Sequence, residues 1–172
     1  MGNPSSADAE FNGPSGIAID GSGNIYVAEE NNRRIQKFLS DGTFVTKWGT
    51  FGTGDGQFAN ASGIHVVGTD VYVSDIGLNR IQKFTTAGVY LTQWGSTGSG
   101  NGQFSFPWGI TTNAAGDEVY VTETGNNRIQ VFDAAGLYQR QWAASFPFAI
   151  MIGSSGSVYY TEGNKVTISS TA

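Results

Sequence analysis

Arg34-Ile-Gln-Lys-Phe38, Arg80-Ile-Gln-Lys-Phe84 and Arg128-Ile-Gln-Val-Phe132 are one segment written three times, at offsets of 46 and 48 residues. A repeat of that period makes the unit of structure a short supersecondary module stacked on copies of itself. Other anchors recur around the segment in the same order. Upstream stand Ile25-Tyr26-Val27, Val71-Tyr72-Val73, Val119-Tyr120-Val121 and Val158-Tyr159-Tyr160. Downstream stand Trp48, Trp94 and Trp142, each 14 residues beyond its arginine.

Alternation and turn residues divide each repeat into strands. In the first, Gly16–Asp20 is β-prone and residues 21–24 (Gly-Ser-Gly-Asn) form a turn. Ile25–Ala28 is a second strand, residues 29–33 a loop, and Arg34–Leu39 a third strand. Ser40-Asp41-Gly42 turns the chain into a fourth strand, Thr43–Trp48, because Asp caps a turn and Gly supplies its backbone freedom. A Gly-rich connection over residues 49–57 leads onward. No stretch carries a helical period, so an all-β chain is expected. Four antiparallel strands in about 45 residues make a β-propeller blade.

The residues also resemble a known family. Pro14-Ser-Gly-Ile17, Pro107-Trp-Gly-Ile110, Gly23-Asn-Ile-Tyr-Val27, Asn126-Asn-Arg-Ile129 and Gly102-Gln-Phe104 together are similar to the NHL repeat, from Phe11 to about Ser169. That resemblance implies a propeller, usually of about six blades around a central channel. It implies a fold more than an activity, since the family mixes binding modules with a minority of lyases.

The blades divide as residues 11–57, 58–103, 104–145 and 146–172, with 1–10 expected to be a flexible N-terminal segment. Three blades are complete and the fourth has three strands, Ala149–Ile152, Ser157–Thr161 and Lys165–Ser169. Its entry is abnormal. Trp48 to Ala61 and Trp94 to Pro107 each span 13 residues, whereas Trp142 to Pro147 spans 5. The N-terminal segment is a poor strand former and so a weak source for the missing strand. A three-stranded blade, or an edge completed by another copy, are the alternatives. Uncovered apolar blade faces drive association, so a homo-oligomer through the terminal blades is expected.

Composition fits one all-β domain. Charged residues are 13%, about half the usual share, and 25 glycines suit many turns. This balance slightly favours an extracytoplasmic protein, although Met1–Glu10 lacks the apolar core of a signal peptide. No cysteine is present, which excludes disulfides and thiolate metal sites. No apolar run approaches the ~20 residues of a membrane helix. Nine basic against 14 acidic residues leave no clustered positive surface for nucleic acid.

Catalysis finds little footing. Members of the resembled family that are lyases use histidines at a metal, and this chain has His65 alone. Its phase is shared by Ala18, Thr111 and Met151, which have no chemistry in common, so His65 reads as a packed or channel-facing residue. The Gly-rich connections lack the lysine and following helix of a phosphate loop. No cofactor or metal is expected. Glu29, Asp75, Glu123 and Glu162 follow the repeated tyrosines by two or three residues, and each is followed by a base: Arg34, Arg80, Arg128 and Lys165. A ring of carboxylates could hold Ca²⁺, but a matched base in every unit favours a cross-strand framework pair. Lys165 lacks the bidentate fork of arginine.

One surface differs between units. Ser15, Ser62, Trp108 and Phe148 occupy one position, and Phe106 and Phe146 flank the same prolines. Phe106, Trp108, Phe146 and Phe148 are therefore a candidate patch for a protein, peptide or glycan, or else a hydrophobic plug at the shortened connection. The expected function is a non-catalytic interaction or self-assembly module. A fragment of an NHL-like lyase, with its catalytic blades elsewhere, is the alternative.

Overall fold

The computed structural model describes residues 6–169. Fifteen strands and no helix occur among them. Blade one holds β1 (Pro14–Ile19), β2 (Ile25–Glu29), β3 (Arg34–Phe38) and β4 (Phe44–Trp48). Blade two holds β5 (Ala61–Val67), β6 (Asp70–Asp75), β7 (Arg80–Thr85) and β8 (Tyr90–Trp94). Blade three holds β9 (Pro107–Thr112), β10 (Glu118–Glu123), β11 (Arg128–Asp133) and β12 (Tyr138–Ala143). The fourth has β13 (Pro147–Ile152), β14 (Val158–Glu162) and β15 (Lys165–Ser169). Every sheet is an antiparallel meander in chain order. These are the blades of a β-propeller, three of four strands and one of three.

Tight turns set the meander. The Asp20 carboxylate accepts from the backbone N–H of Ser22 and Asn24, both at 2.9 Å, while Gly23 takes φ 83°. Side-chain capping and a left-handed glycine are what a short strand-to-strand reversal requires.

Alternation then gives each blade two apolar faces. Tyr26, Ala28 and Ile35 of blade one pack against Phe58, Ile64, Val66, Val71, Val73 and Phe84 of blade two. The same positions recur between blades two and three, and between three and four. Tryptophan from the fourth strand bridges each junction. Trp48 lies 6.3 Å from Tyr26 in its own blade and 6.0 Å from Phe84 in the next, and Trp94 lies 6.1 Å from Tyr72 and 5.9 Å from Phe132. Such tilted ring pairs add about 0.5–1.5 kcal/mol beyond burial. Trp142 meets Tyr120 at 6.3 Å, but its forward position in the fourth unit is Ser169 rather than phenylalanine.

First strands form the innermost layer. β1 packs on β5, β5 on β9 and β9 on β13, and no comparable packing joins β13 back to β1. All four line a channel, whose walls include Ile17, His65, Thr111 and Met151.

The shortened entry into blade four has a simple geometry. In the long connections Phe58 N–H donates to Thr50 O at 2.8 Å, and Phe104 N–H to Ser96 O at 2.8 Å. Residues 50 and 58 are thus neighbours, so eight residues can be cut between them without moving the ends. Ala144 stands where blades two and three bury Phe58 and Phe104, and its N–H donates to Asn127 O at 3.0 Å.

Candidate functional site

Second and third strands pair Glu29 with Arg34, Asp75 with Arg80, Glu123 with Arg128 and Glu162 with Lys165. Arg34 Nε lies 2.6 Å from Glu29, and Arg128 Nε 2.6 Å from Glu123, all four side chains being buried. Asp75 is one methylene shorter. Its oxygen stays 3.5 Å from Arg80 Nε, and that N–H finds no hydrogen-bond acceptor.

Each pair also fixes the path of the chain. The carboxylates accept backbone N–H groups just ahead of their own first strands: Asn12 to Glu29, Ala59 and Asn60 to Asp75, and Ser105 to Glu123. The guanidinium groups donate in the other direction, to the incoming connection. Arg80 reaches the carbonyls of Thr53, Gly54 and Gln57, and Arg128 those of Ser99, Gly100 and Gln103. Arg34 does the same with Ser6, Ala7 and Glu10, so residues 6–10 lie on blade one as a connection lies on blades two and three. Even the backbone matches, because Ala9 takes φ 62° where Gly56 and Gly102 take 71° and 75°.

Three glutamines complete the grip. Gln36, Gln82 and Gln130 are fully buried, and each donates to a connection carbonyl and accepts one of its N–H groups. Reading the sequence for charge passed over them, although they sit at the centre of the repeated segment. Blade four departs from the pattern. Lys165 is exposed, 3.5 Å from Glu162, and the carboxylate is held below its usual pKa chiefly by the Ser145 N–H. The oxygens of Glu29 and Glu123 are committed to arginine, glutamine, asparagine and backbone donors, those of Asp75 to arginine and backbone, and those of Glu162 to Ser145, Thr167 and Lys165. No group of histidine or carboxylate side chains among the described residues is spaced to hold a metal.

The aromatic positions fall into two kinds. Trp108 and Phe148, on the neighbouring strands β9 and β13, meet edge to face with centroids 5.5 Å apart. Phe106 and Phe146 are exposed and hold φ 52° and 48°, where blade one has Gly13 at 65°. A bulky residue in left-handed backbone costs on the order of 1–3 kcal/mol and persists only where neighbours enforce it. The enforcers are side chains of the preceding blade. Asn79 Oδ1 accepts from Phe106 N–H at 2.8 Å, and Asn127 Oδ1 from Phe146 N–H at 2.9 Å. The result is a rim on which two phenylalanines stand free beside one paired set.

His65 faces the channel with Ala18, Thr111 and Met151 as its counterparts on the other blades. Burial pushes its pKa below the usual value. Below about pH 6.5 the unfolded chain therefore binds the extra proton that the folded chain resists. Stability should be complete above that pH and fall as pH drops toward the depressed folded value. Urea midpoints at about pH 7.5 and about pH 5 check this. His65→Gln is expected to flatten the difference, and an unchanged slope would remove His65 as its source.

With this geometry in hand, relatives can be placed. The NHL-repeat profile matches residues 11–38 and 104–132, the first three strands of blades one and three. Two segments of the chain thus match the NHL repeat. The RING finger protein nhl-1 of Caenorhabditis elegans is 42% identical over 64 residues, 37% of this chain and 7% of that protein. The protein brain tumor of Drosophila melanogaster is 37% identical over 60 residues, 35% of this chain and 6% of its own length. Among solved structures, a streptogramin B lyase superposes with TM-score 0.73 at 22% identity, over 98% of this chain and 54% of the other. A nidogen/laminin complex gives 0.72 at 23%, over 93% and 60%. The chain thus spans under a tenth of these sequence relatives and roughly half of these structures, and the structural likeness is one of fold.

Proposed function

We propose that this chain is a non-catalytic interaction module that works through the two open ends of its blade array, where copies associate. The exposure of matched positions carries the reading. Ile17 and Ile19 on blade one are 68% and 63% exposed, whereas Ile64 and Val66 at the same positions of blade two are 6% and 8%. At the other end Val166 is 67% exposed, while Ile35, Ile81 and Ile129 are fully buried. Both ends are halves of an inter-blade interface, and an apolar sheet face is the partner each is shaped for. Burying such side chains contributes about 1.5–3 kcal/mol apiece, enough for a few to drive pairing.

The two ends are not interchangeable with an internal junction. Gly16, Gly63 and Gly109 leave no room for a Cβ, which would stand 2.1–2.2 Å from a carbonyl of the next blade. Ala149 holds that position in blade four. A second copy on that face must therefore stand off at the channel side. Likeness in fold to lyases at 22–23% identity does not favour the lyase-fragment reading over this one.

Static light scattering tests the proposal. At low micromolar concentration a mass at least twice the 18.2 kDa of one chain is expected. A constant single-chain mass across a wide concentration range would refute association.

A further inference from the structure

We infer that the rim at the entries to blades three and four is a docking site for an extended, proline-rich segment of a partner protein. Phe106, Trp108, Phe146 and Phe148 supply its aromatic wall. This surface is separate from the blade ends on which association rests, so the two readings can fail separately. Proline-rich segments hold a preformed polyproline II helix, which docks on aromatic side chains at little cost in entropy.

Backbone strain singles this rim out. Phe106 and Phe146 hold left-handed φ of 52° and 48° and are each 59% exposed, so neither ring is buried in return. Glycine takes the same backbone without strain, as Gly13 does at 65° in blade one. Strained bulky residues gather at ligand clamps. Nor does the exposure come from the end of the array. Phe106 leads into blade three, which has a neighbour on both sides, and its ring is as exposed as that of Phe146. A further blade of the same kind would therefore leave the rim open, which makes a separate partner its occupant.

Charge and hydrogen bonding select that occupant. The segments that frame the rim, residues 76–79, 95–108, 124–127 and 143–149, contain no charged side chain. Such a surface offers nothing to phosphates or acidic peptides. The acceptors beside the two free rings are already used, Asn79 Oδ1 by Phe106 N–H and Asn127 Oδ1 by Phe146 N–H. Phe106 O accepts both the N–H and the hydroxyl of Thr124, each at 3.2 Å. Donors remain. Asn127 Nδ2 and the indole N–H of half-buried Trp108 have no acceptor among the described residues, whereas the indole N–H groups of Trp48, Trp94 and Trp142 are buried.

Rings with spare donors match a ligand of rings with spare acceptors. Proline has no N–H to satisfy, and polyproline II leaves its carbonyls free of internal hydrogen bonds. A saccharide fits less well, because its hydroxyls need acceptors as well as donors, and the acceptors beside these rings are committed. Trp108 and Phe148, edge to face at 5.5 Å, form a ridge for a pyrrolidine ring, and Phe106 and Phe146 precede them in the same order on the two blades.

The test titrates fluorescein-labelled decaproline with the protein and follows anisotropy. Saturable binding is expected, and a Gly-Ser peptide of equal length should not bind. Phe106→Gly should weaken binding about tenfold or more, as loss of an anchoring ring does, while its melting midpoint stays level or rises because the strain is gone. Trp108→Phe keeps a ring, removes the donor and should weaken binding about fivefold. Unchanged affinity in either variant, equal binding of the Gly-Ser peptide, or no binding of decaproline would overturn the inference. So would binding of cellohexaose in place of decaproline, read by tryptophan fluorescence, which would reassign the rim to a saccharide. Light scattering on the same samples reads association by itself: decaproline bound by a monomer upholds the rim and removes association, and an oligomer that ignores decaproline does the reverse.

Discussion

Arg128→Ala is expected to lower stability by about 3–5 kcal/mol, the usual cost of removing one member of a buried ion pair. Glu123 is fully buried, and with the guanidinium gone it keeps only the N–H groups of Ser105, Asn126 and Gln130 as partners. The carbonyls of Ser99, Gly100 and Gln103 each lose a charged donor at once, Gly100 keeping the Gln103 N–H and Gln103 keeping Gln130, so the connection between blades two and three loosens with the pair. For a chain of this size each kcal/mol shifts the melting temperature by about 2–4 °C, so a fall of roughly 10 °C is expected. Thermal unfolding followed by tryptophan fluorescence reads it. Arg128→Lys should recover little, since an ammonium cannot span carboxylate and carbonyls as the planar fork does. Lys165→Ala, on an exposed partner, should leave the midpoint where it is. A wild-type midpoint for Arg128→Ala would show that the pair is not framework.

Why the fold could be read from the sequence and the site only partly is visible in particular residues. Repetition carries the fold: Ile35, Ile81 and Ile129 fall at one phase because each fills the same space between blades. The short fourth unit was legible too, in the 5-residue step from Trp142 to Pro147. Glutamine was not, because a neutral side chain reveals its burial only once the connection it grips is in place. Residues 6–10 escaped for a related reason. Ala7-Asp8-Ala9-Glu10 lacks the glycines of the other connections, and only the carbonyls facing Arg34 show the shared path. The exposure of Phe106 and Phe146 depends on a backbone sign that neither residue advertises.

Gly63→Ala should lower stability by about 3 kcal/mol, the upper part of the range for overpacking a tight junction. The added Cβ would lie 2.1 Å from Trp108 O and 2.8 Å from Ser74 Oγ. Neither obstacle is a free end. Trp108 O is main chain on β9, fixed by the Ser74 hydroxyl at 2.7 Å, and the same Ser74 oxygen accepts from Gly63 N–H at 2.8 Å. Relief therefore requires separating β5 from β9, which breaks the Ser74 bond and thins the junction through its whole depth. Gly21→Ala is the control, because nothing lies within 4 Å of its Cβ; no loss, or a gain of about 0.4–1 kcal/mol from a stiffer unfolded chain, is expected there. Urea unfolding of the two variants separates a close-approach glycine from a merely permissive one, and equal midpoints would show that the junction yields. The chain contains its own version of the experiment. Blades one to three, each followed by another blade, have Gly16, Gly63 and Gly109, while blade four, with no blade behind it among the described residues, has Ala149. If a methyl group is tolerated only where no neighbour presses, Ala149 marks the channel side of blade four as the one place in the array where no carbonyl of the described residues sits as close as those of Ser62, Trp108 and Phe148 do to the three glycines.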